Sequence, residues 1–297
     1  MAANRSARHE NISGWTFIAP ALTLLGLFMV YPIIWSLYMS FQTGKGMNFK
    51  FGGFANIYRL TQDPVFLHAL SNTMNFLVVQ VPIMIILVLL FAVVLNNPKL
   101  RGRAILRTAI FLPCVTSLIA YSVLFKSMFA IDGVVNDLLM ALWIIDEPIG
   151  WMFDPFWAKV LIIMAITWRW PGYNMVFYLA ALQNIDPSIY EAARIDGVPA
   201  RARFWRITVP MLKPVILFTT VLSTIGTLQL FDEVNTITAS QGIGGAPADS
   251  TLTLSLYIYN LTFRFMPSFG YAATVSWVIV ILVGILSWLQ FQVARDR

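Results

Sequence analysis

The stretch FLVVQVPIMIILVLLFAVVL, residues 76–95, runs for 20 residues without a charge. At 1.5 Å of rise per residue, about 20 helical residues cross the hydrocarbon of a bilayer. Six apolar runs of this kind are present, near 15–41, 67–95, 104–129, 156–182, 214–231 and 271–291. A soluble core of this size cannot hold them. Only 11% of the chain is charged and 58% is hydrophobic, where a globular domain carries roughly 25% charged residues. The expected fold class is all-α: a polytopic membrane protein of six transmembrane helices, with Pro20, Pro32, Pro82, Pro113 and Pro171 tolerated inside a bundle. The first run is too long for the core of a cleavable signal peptide.

Basic residues lie on alternate sides of these runs. Arg5 and Arg8, then Lys99, Arg101, Arg103 and Arg107, then Arg194, Arg201, Arg203, Arg206 and Lys213, and finally Arg295 and Arg297 gather on one side. They are 13 of the 20 Lys and Arg residues. The opposite side holds Asp132, Asp137, Asp146, Glu147 and Asp154 in one loop. By the positive-inside rule both termini face the cytoplasm, which an even number of spans requires. The predicted organisation is a tail over 1–14, a transmembrane domain over 15–293 and a second tail over 294–297. The net charge of +6 therefore reads as membrane topology and contact with lipid, and nucleic acid is not expected. One cysteine, Cys114, and two histidines leave no material for a disulfide framework or a Cys/His metal site.

Two segments on the acidic side stand apart. DGVVNDLLMALWII places Val135, Leu138, Leu139, Leu142 and Trp143 at helical spacing over too short a length to span. It predicts an amphipathic helix on the outer surface, with docking of an external partner as the sharper alternative. TASQGIGGAPADST reads as a flexible turn.

The basic segment YEAARIDGVPARARFWRITVPMLKP, residues 190–214, sits between the fourth and fifth runs. Asp186 and Pro187 predict a helix start, Gly197 a break, and Pro199 the start of a second helix that Pro210 ends. The product is a short helix, a glycine turn and another short helix. On charge alone it reads equally well as an amphipathic hairpin held by anionic lipid.

The spacing adds a resemblance. Glu191-Ala192-Ala193, three residues, Gly197, nine residues, Ile207, one residue, Val209 and Pro210 resemble the EAA loop of the permease subunits of bacterial binding-protein-dependent ABC importers. Valine stands where leucine is commoner before the proline. YLAALQNIDPSIYEAARIDG, ILRTAIFLPCV and FDEVNTIT are similar to segments of the carbohydrate branch, the maltose-type permeases. The likeness runs from Ile12 onward and weakens in the external loops.

That resemblance implies a division of labour. The chain has no G-x-x-x-x-G-K-[ST] phosphate cradle; Gly44-Lys45 lacks both the upstream glycine and the following hydroxyl residue. No cofactor is expected in this chain, and ATP and Mg would be held by a separate ABC ATPase dimer. The resemblance places the coupling to that ATPase in residues 186–213, with Glu191, Ala192, Ala193, Asp196, Gly197, Ile207 and Pro210 as candidate coupling residues. Glu191 would pair with a basic group, and the Ala192–Ala193 pair would admit a close surface. The other implied partners are a second permease subunit, most often a different chain, and an extracytoplasmic sugar-binding protein. The expected location is the bacterial inner membrane.

Sugars are bound by aromatic faces and by hydrogen bonds to hydroxyls, so the substrate pathway is sought where both share a helix face. Span five offers Thr219, Ser223 and Thr227 at i, i+4 and i+8, then Gln229; span four offers Trp170, Tyr173, Asn174 and Phe177. The hydroxyl residues read equally as helix packing or back-bonding. Arg169 costs about 2.5 to 3.5 kcal/mol at a span centre, and so faces a partner or an aqueous cavity, or else snorkels outward. Asp232 and Glu233, just past span five, are candidate partners for it or would face the external protein. The expected cargo is an uncharged disaccharide or small oligosaccharide. A polyol or a glycerol phosphate ester is the alternative. A self-contained secondary carrier would need more ionisable groups inside the spans, and an intramembrane enzyme would need a nucleophile with its base or paired aspartates. No enzyme activity is expected.

Overall fold

A computed structural model describes residues 2–238 and 249–295. The apolar runs become helices because lipid offers the backbone no hydrogen-bond partner, so each peptide group must be satisfied within its own segment. The order is α1 (Ala2–Leu25), a π-helical turn (Gly26–Val30), α2 (Tyr31–Ser40), a two-stranded hairpin of β1 (Gln42–Thr43) and β2 (Lys50–Phe51), α3 (Ala55–Gln62) and α4 (Pro64–Asn96). Then come α5 (Arg103–Val115), α6 (Leu118–Met128), α7 (Val134–Ala141), α8 (Pro155–Arg169), α9 (Pro171–Gln183) and α10 (Pro187–Ile195). The chain continues through α11 (Ala200–Arg203), a second π turn (Phe204–Thr208), α12 (Val209–Met211), α13 (Lys213–Leu228), α14 (Asp232–Ile237) and α15 (Leu254–Tyr259). A third π turn (Asn260–Arg264) leads into α16 (Phe269–Arg295).

Among the described residues four helical stretches are long and apolar enough to span: Gly14–Ser40, Pro64–Asn96, Lys213–Ile237 and Phe269–Arg295. The third and fourth predicted runs are not continuous. The third bends by 100° between α5 and α6 and supplies a fifth span if the pair is counted as one. Its break follows from Pro113, whose ring disturbs the preceding turn, and from extended backbone at Thr116 and Ser117. The fourth breaks at Trp170, because Pro171 has no N–H to carry the ladder on from α8 into α9. The helix predicted for the outer surface is shorter than its apolar pattern, ending at Ala141. The predicted Gly- and Ala-rich turn lies largely outside the described residues, which omit 239–248.

Asp-Pro pairs start three helices by one device. Asp63, Asp154 and Asp186 each accept backbone N–H bonds from the first turn, while the proline occupies a position whose N–H would be orphaned anyway. Prolines within the helical path are accommodated differently. Each of the first two π turns closes with the N–H of the residue before a proline, Tyr31 to the Gly26 carbonyl and Val209 to the Phe204 carbonyl. The widened turn makes room for Pro32 and Pro210. Pro210 therefore does not end the second hairpin helix as the sequence predicts; the path continues to Met211 and turns at Leu212.

The chain divides into two compact units. One contains the residues up to Gln62 with Leu261–Trp277, and the other Asp63–Asn260 with the residues from Val278 on. In the first, Asn56 donates to the Ser40 and Gln42 carbonyls at 2.9 and 2.8 Å, and the Thr274 hydroxyl reaches the Ser40 carbonyl at 3.0 Å. Gly270 lies so close to the Gln42 and Met39 carbonyls that a Cβ would not fit. In the second, the core joins Met84, Val88, Ala92 and Leu95 of α4 to Met175, Tyr178, Leu179 and Leu182 of α9, with Ile185 and Leu212. Arg107 donates to the Leu95 carbonyl at 2.8 Å, satisfying an orphan acceptor at the end of α4.

Candidate functional site

The basic hairpin is built from its caps. Asp186 accepts from the Ser188 N–H at 2.9 Å, and this hydrogen bond holds its carboxyl below the ordinary carboxylate range. At the far end Gly197 has φ +69°, with its N–H on the Arg194 carbonyl at 3.1 Å and the Val198 N–H on the Ala193 carbonyl at 3.0 Å. This is a Schellman cap, which needs a residue at positive φ, so a glycine belongs there. The two arms are tied by the hydroxyls of Tyr190 and Thr208, 3.1 Å apart.

Glu191, Ala192, Asp196, Gly197 and Pro210 are exposed, and Ile207 is half-buried. Ala193 departs from the sequence reading: only 6% of it is exposed, so it packs inside its own chain and leaves Ala192 alone of the pair for an outside surface. Ile195 was missed. It is 87% exposed at the hairpin turn. Two residues beyond Ala193 is about 200° around a helix, so periodicity alone places it opposite the buried face.

A cavity of about 380 Å³ lies in the same unit. All six candidate pathway residues, Trp170, Tyr173, Asn174, Ser223, Thr227 and Gln229, line it. The α8–α9 break delivers the first three, and the end of α13 the others. Phe177 and Thr219 do not line it; Thr219 instead meets the Tyr178 hydroxyl at 2.9 Å. Among the liners that sequence reading did not assign to the pathway are Gln80 and Met84 of α4, and Asp232 and Glu233 at the start of α14. Gln80 carried the clearest signal, an amide inside an otherwise apolar run.

The polar atoms serve two purposes. Ser223 donates to the Thr219 carbonyl at 2.6 Å and Thr227 to the Ser223 carbonyl at 2.9 Å, which is back-bonding within the helix. Thr227 also reaches Gln80 Oε1 at 2.9 Å, across to α4. The Asn174 side-chain amide donates at 3.2 Å to the Trp170 carbonyl, which also accepts the Asn174 backbone N–H at 3.3 Å. Its Oδ1 is buried with no protein partner. Trp170 and Tyr173 meet edge to face with centroids 6.5 Å apart.

Arg169 is 5% exposed and does not snorkel. Its guanidinium lies 4.7 Å from the Tyr121 ring centre and makes 3.4 Å contacts to the Cys114 carbonyl and the Thr116 hydroxyl. A cation beside the last carbonyls of α5 is favourable for the freed acceptors and for the helix dipole. Glu233 is reached only through Tyr121, whose hydroxyl donates to its Oε1 at 2.7 Å.

The chain resembles known proteins along nearly its whole length. It is 68% identical over 290 residues to the lactose transport system permease protein LacF of Rhizobium radiobacter, covering 98% of this chain and 96% of that one. It is 33% identical over 284 residues to the sulfoquinovosyl glycerol transport system permease protein SmoG of Agrobacterium fabrum, covering 94% and 89%. Among solved structures, a bacterial ABC transporter involved in import of the acidic polysaccharide alginate contains a chain that matches with a TM-score of 0.85 at 21% identity, over 100% and 99% of the two chains. The same fold appears, with a TM-score of 0.79 at 22% identity over 97% and 94%, in a bacterial alginate ABC transporter complexed with its pentasaccharide-bound periplasmic protein. The family model of binding-protein-dependent transport system inner membrane components matches residues 51–295, and the chain belongs to that family of transport permeases.

Proposed function

We propose that this chain is the permease subunit of an ABC importer and forms half of the pathway for a neutral disaccharide or small oligosaccharide, with lactose the first candidate. The observation that carries this reading is mechanical. The hairpin is joined at one end to α9 and at the other to α13, and both helices line the cavity. A displacement applied at Glu191 and Gly197 would reach Tyr173 and Asn174 along α9, and Ser223 and Thr227 along α13. The 13 residues of α9 span about 20 Å as a helix. Closure of an ATPase dimer against the hairpin would so reshape the cavity, an alternating-access motion of rigid elements.

ATP and Mg would sit on that ATPase, and both termini of this chain would face it from the cytoplasm. Glu191, Ala192, Asp196, Gly197 and the exposed Ile195 would form the contact, with Ala193 and Ile207 holding its shape. A second permease would complete the pathway and an external binding protein would deliver the sugar. Trp170 and Tyr173 supply faces for sugar C–H groups, while Asn174, Gln229 and Gln80 supply amides for hydroxyls. The identity to the lactose permease supports the choice of sugar.

The test is reconstitution with the genomically neighbouring permease, ATPase and binding protein in proteoliposomes, followed by lactose uptake and ATP hydrolysis. Glu191→Ala combined with Gly197→Pro should assemble yet lose uptake and binding-protein-stimulated hydrolysis together. If both survive intact, the hairpin is a lipid-facing helix pair and this reading is wrong.

A further inference from the structure

The proposed sugar cavity is not electrically neutral. Among the described residues its lining includes two carboxylates, Asp232 and Glu233, and no lysine or arginine. Glu233 is 4% exposed and Asp232 half-buried. The Tyr121 hydroxyl holds Oε1 of Glu233 at 2.7 Å, which fixes the carboxylate on the cavity wall as an acceptor. The wall therefore presents acceptor oxygens and negative charge together, the chemistry that takes neutral hydroxyl donors.

Arg169 does not cancel this. It lies against the Tyr121 ring, turned to the Cys114 carbonyl and the Thr116 hydroxyl, and is absent from the lining. Two formal negative charges against one positive leave this end of the cavity negative. Interactions in such a partly buried site are screened little by salt. An anionic cargo would meet like charge with no cation in the lining to offset it.

We infer that Glu233, positioned by Tyr121 and reinforced by Asp232, is a charge filter that excludes anionic sugars from the permease itself, independently of selection by a binding protein. The inference rests on the proposed sugar pathway. It assigns to this chain part of the selectivity that a binding protein would otherwise supply alone, and it argues against the glycerol phosphate cargo.

The test uses the purified complex with its second permease and ATPase, in nanodiscs and without binding protein. Radiolabelled lactose is displaced by unlabelled lactose or by lactobionate, an anionic analogue of similar size. In the native complex lactobionate should compete at least about tenfold less well, the scale expected of uncompensated like charge. Glu233→Gln keeps the shape and removes the charge, and it should narrow that ratio several-fold. Should Glu233→Gln fail to co-purify, the half-buried Asp232→Asn should move the ratio in the same direction. An absent preference in the native complex, or a ratio that neither variant moves, overturns the filter while leaving the sugar pathway standing. If lactose shows no saturable binding, the pathway reading fails and the filter with it.

Discussion

At the scale of single residues, two glycines separate two kinds of constraint. Gly197 is required by its positive φ, since nothing lies within 4 Å of where a Cβ would stand. A non-glycine residue there costs about 1 to 2 kcal/mol of backbone strain. Gly172 has ordinary backbone, but a Cβ would overlap the Ile110 carbonyl and approach the Phe111 backbone of α5. Gly172→Ala must therefore push α9 from α5, and it is expected to lower the thermal unfolding midpoint of the purified complex more than Gly197→Ala does. A further residue-scale expectation concerns Thr227, whose replacement by valine would leave the buried Gln80 Oε1 without its 2.9 Å donor. Hydrogen bonds between membrane helices are worth about 0.6 to 2 kcal/mol, so Thr227→Val should cost about 1 kcal/mol in a steric-trap unfolding measurement.

The hairpin is the element on which the proposed coupling turns, and its cap responds to pH. The Ser188 N–H lowers the Asp186 pKa from an ordinary 3.8. A depressed carboxylate contributes stability that is present above its unfolded value and lost as pH falls through its folded value. The first turn of α10 should thus show constant amide protection from pH 8 down to about 5, then fray in acid below about 3.8. Asp186→Asn, which keeps an acceptor, should abolish that acid step. Protection at Ser188 measured by hydrogen exchange checks both. Tyr190→Phe should act differently: with the 3.1 Å link to Thr208 gone, stimulated ATP hydrolysis should fall while assembly persists.

For the whole molecule, the charge pattern makes a prediction about sidedness. Cys114 is the chain's single cysteine, so Cys114→Ser gives a background free of thiols. A membrane-impermeant maleimide added outside cells should then label Asp137→Cys in α7, and should label the exposed Arg201→Cys only after the membrane is opened. Labelling in the reverse order would invert the proposed orientation and detach the hairpin from any cytoplasmic ATPase.

The sequence by itself determined the fold class, the sidedness expectation and the hairpin. Those rest on local physics: lipid-length apolar runs, basic flanks, and Asp-Pro and glycine signals that act within a few residues. The same locality explains why Trp170, Tyr173, Asn174, Ser223, Thr227 and Gln229, which line one cavity, could be grouped from the sequence, since each lies on a polar or aromatic face of a run. The tertiary structure alone decided the rest. The prolines mark where the third and fourth runs break, but only the packing shows that the Cys114 carbonyl at the end of α5 meets Arg169, 55 residues away. Ala193 is turned inward, only 6% exposed, while its neighbour Ala192 stays exposed, a difference that the EAA spacing does not display. Glu233 reads in the sequence as a candidate partner of Arg169, and only the packing of α14 against α6, with Tyr121 112 residues away in sequence, made it a wall of the cavity.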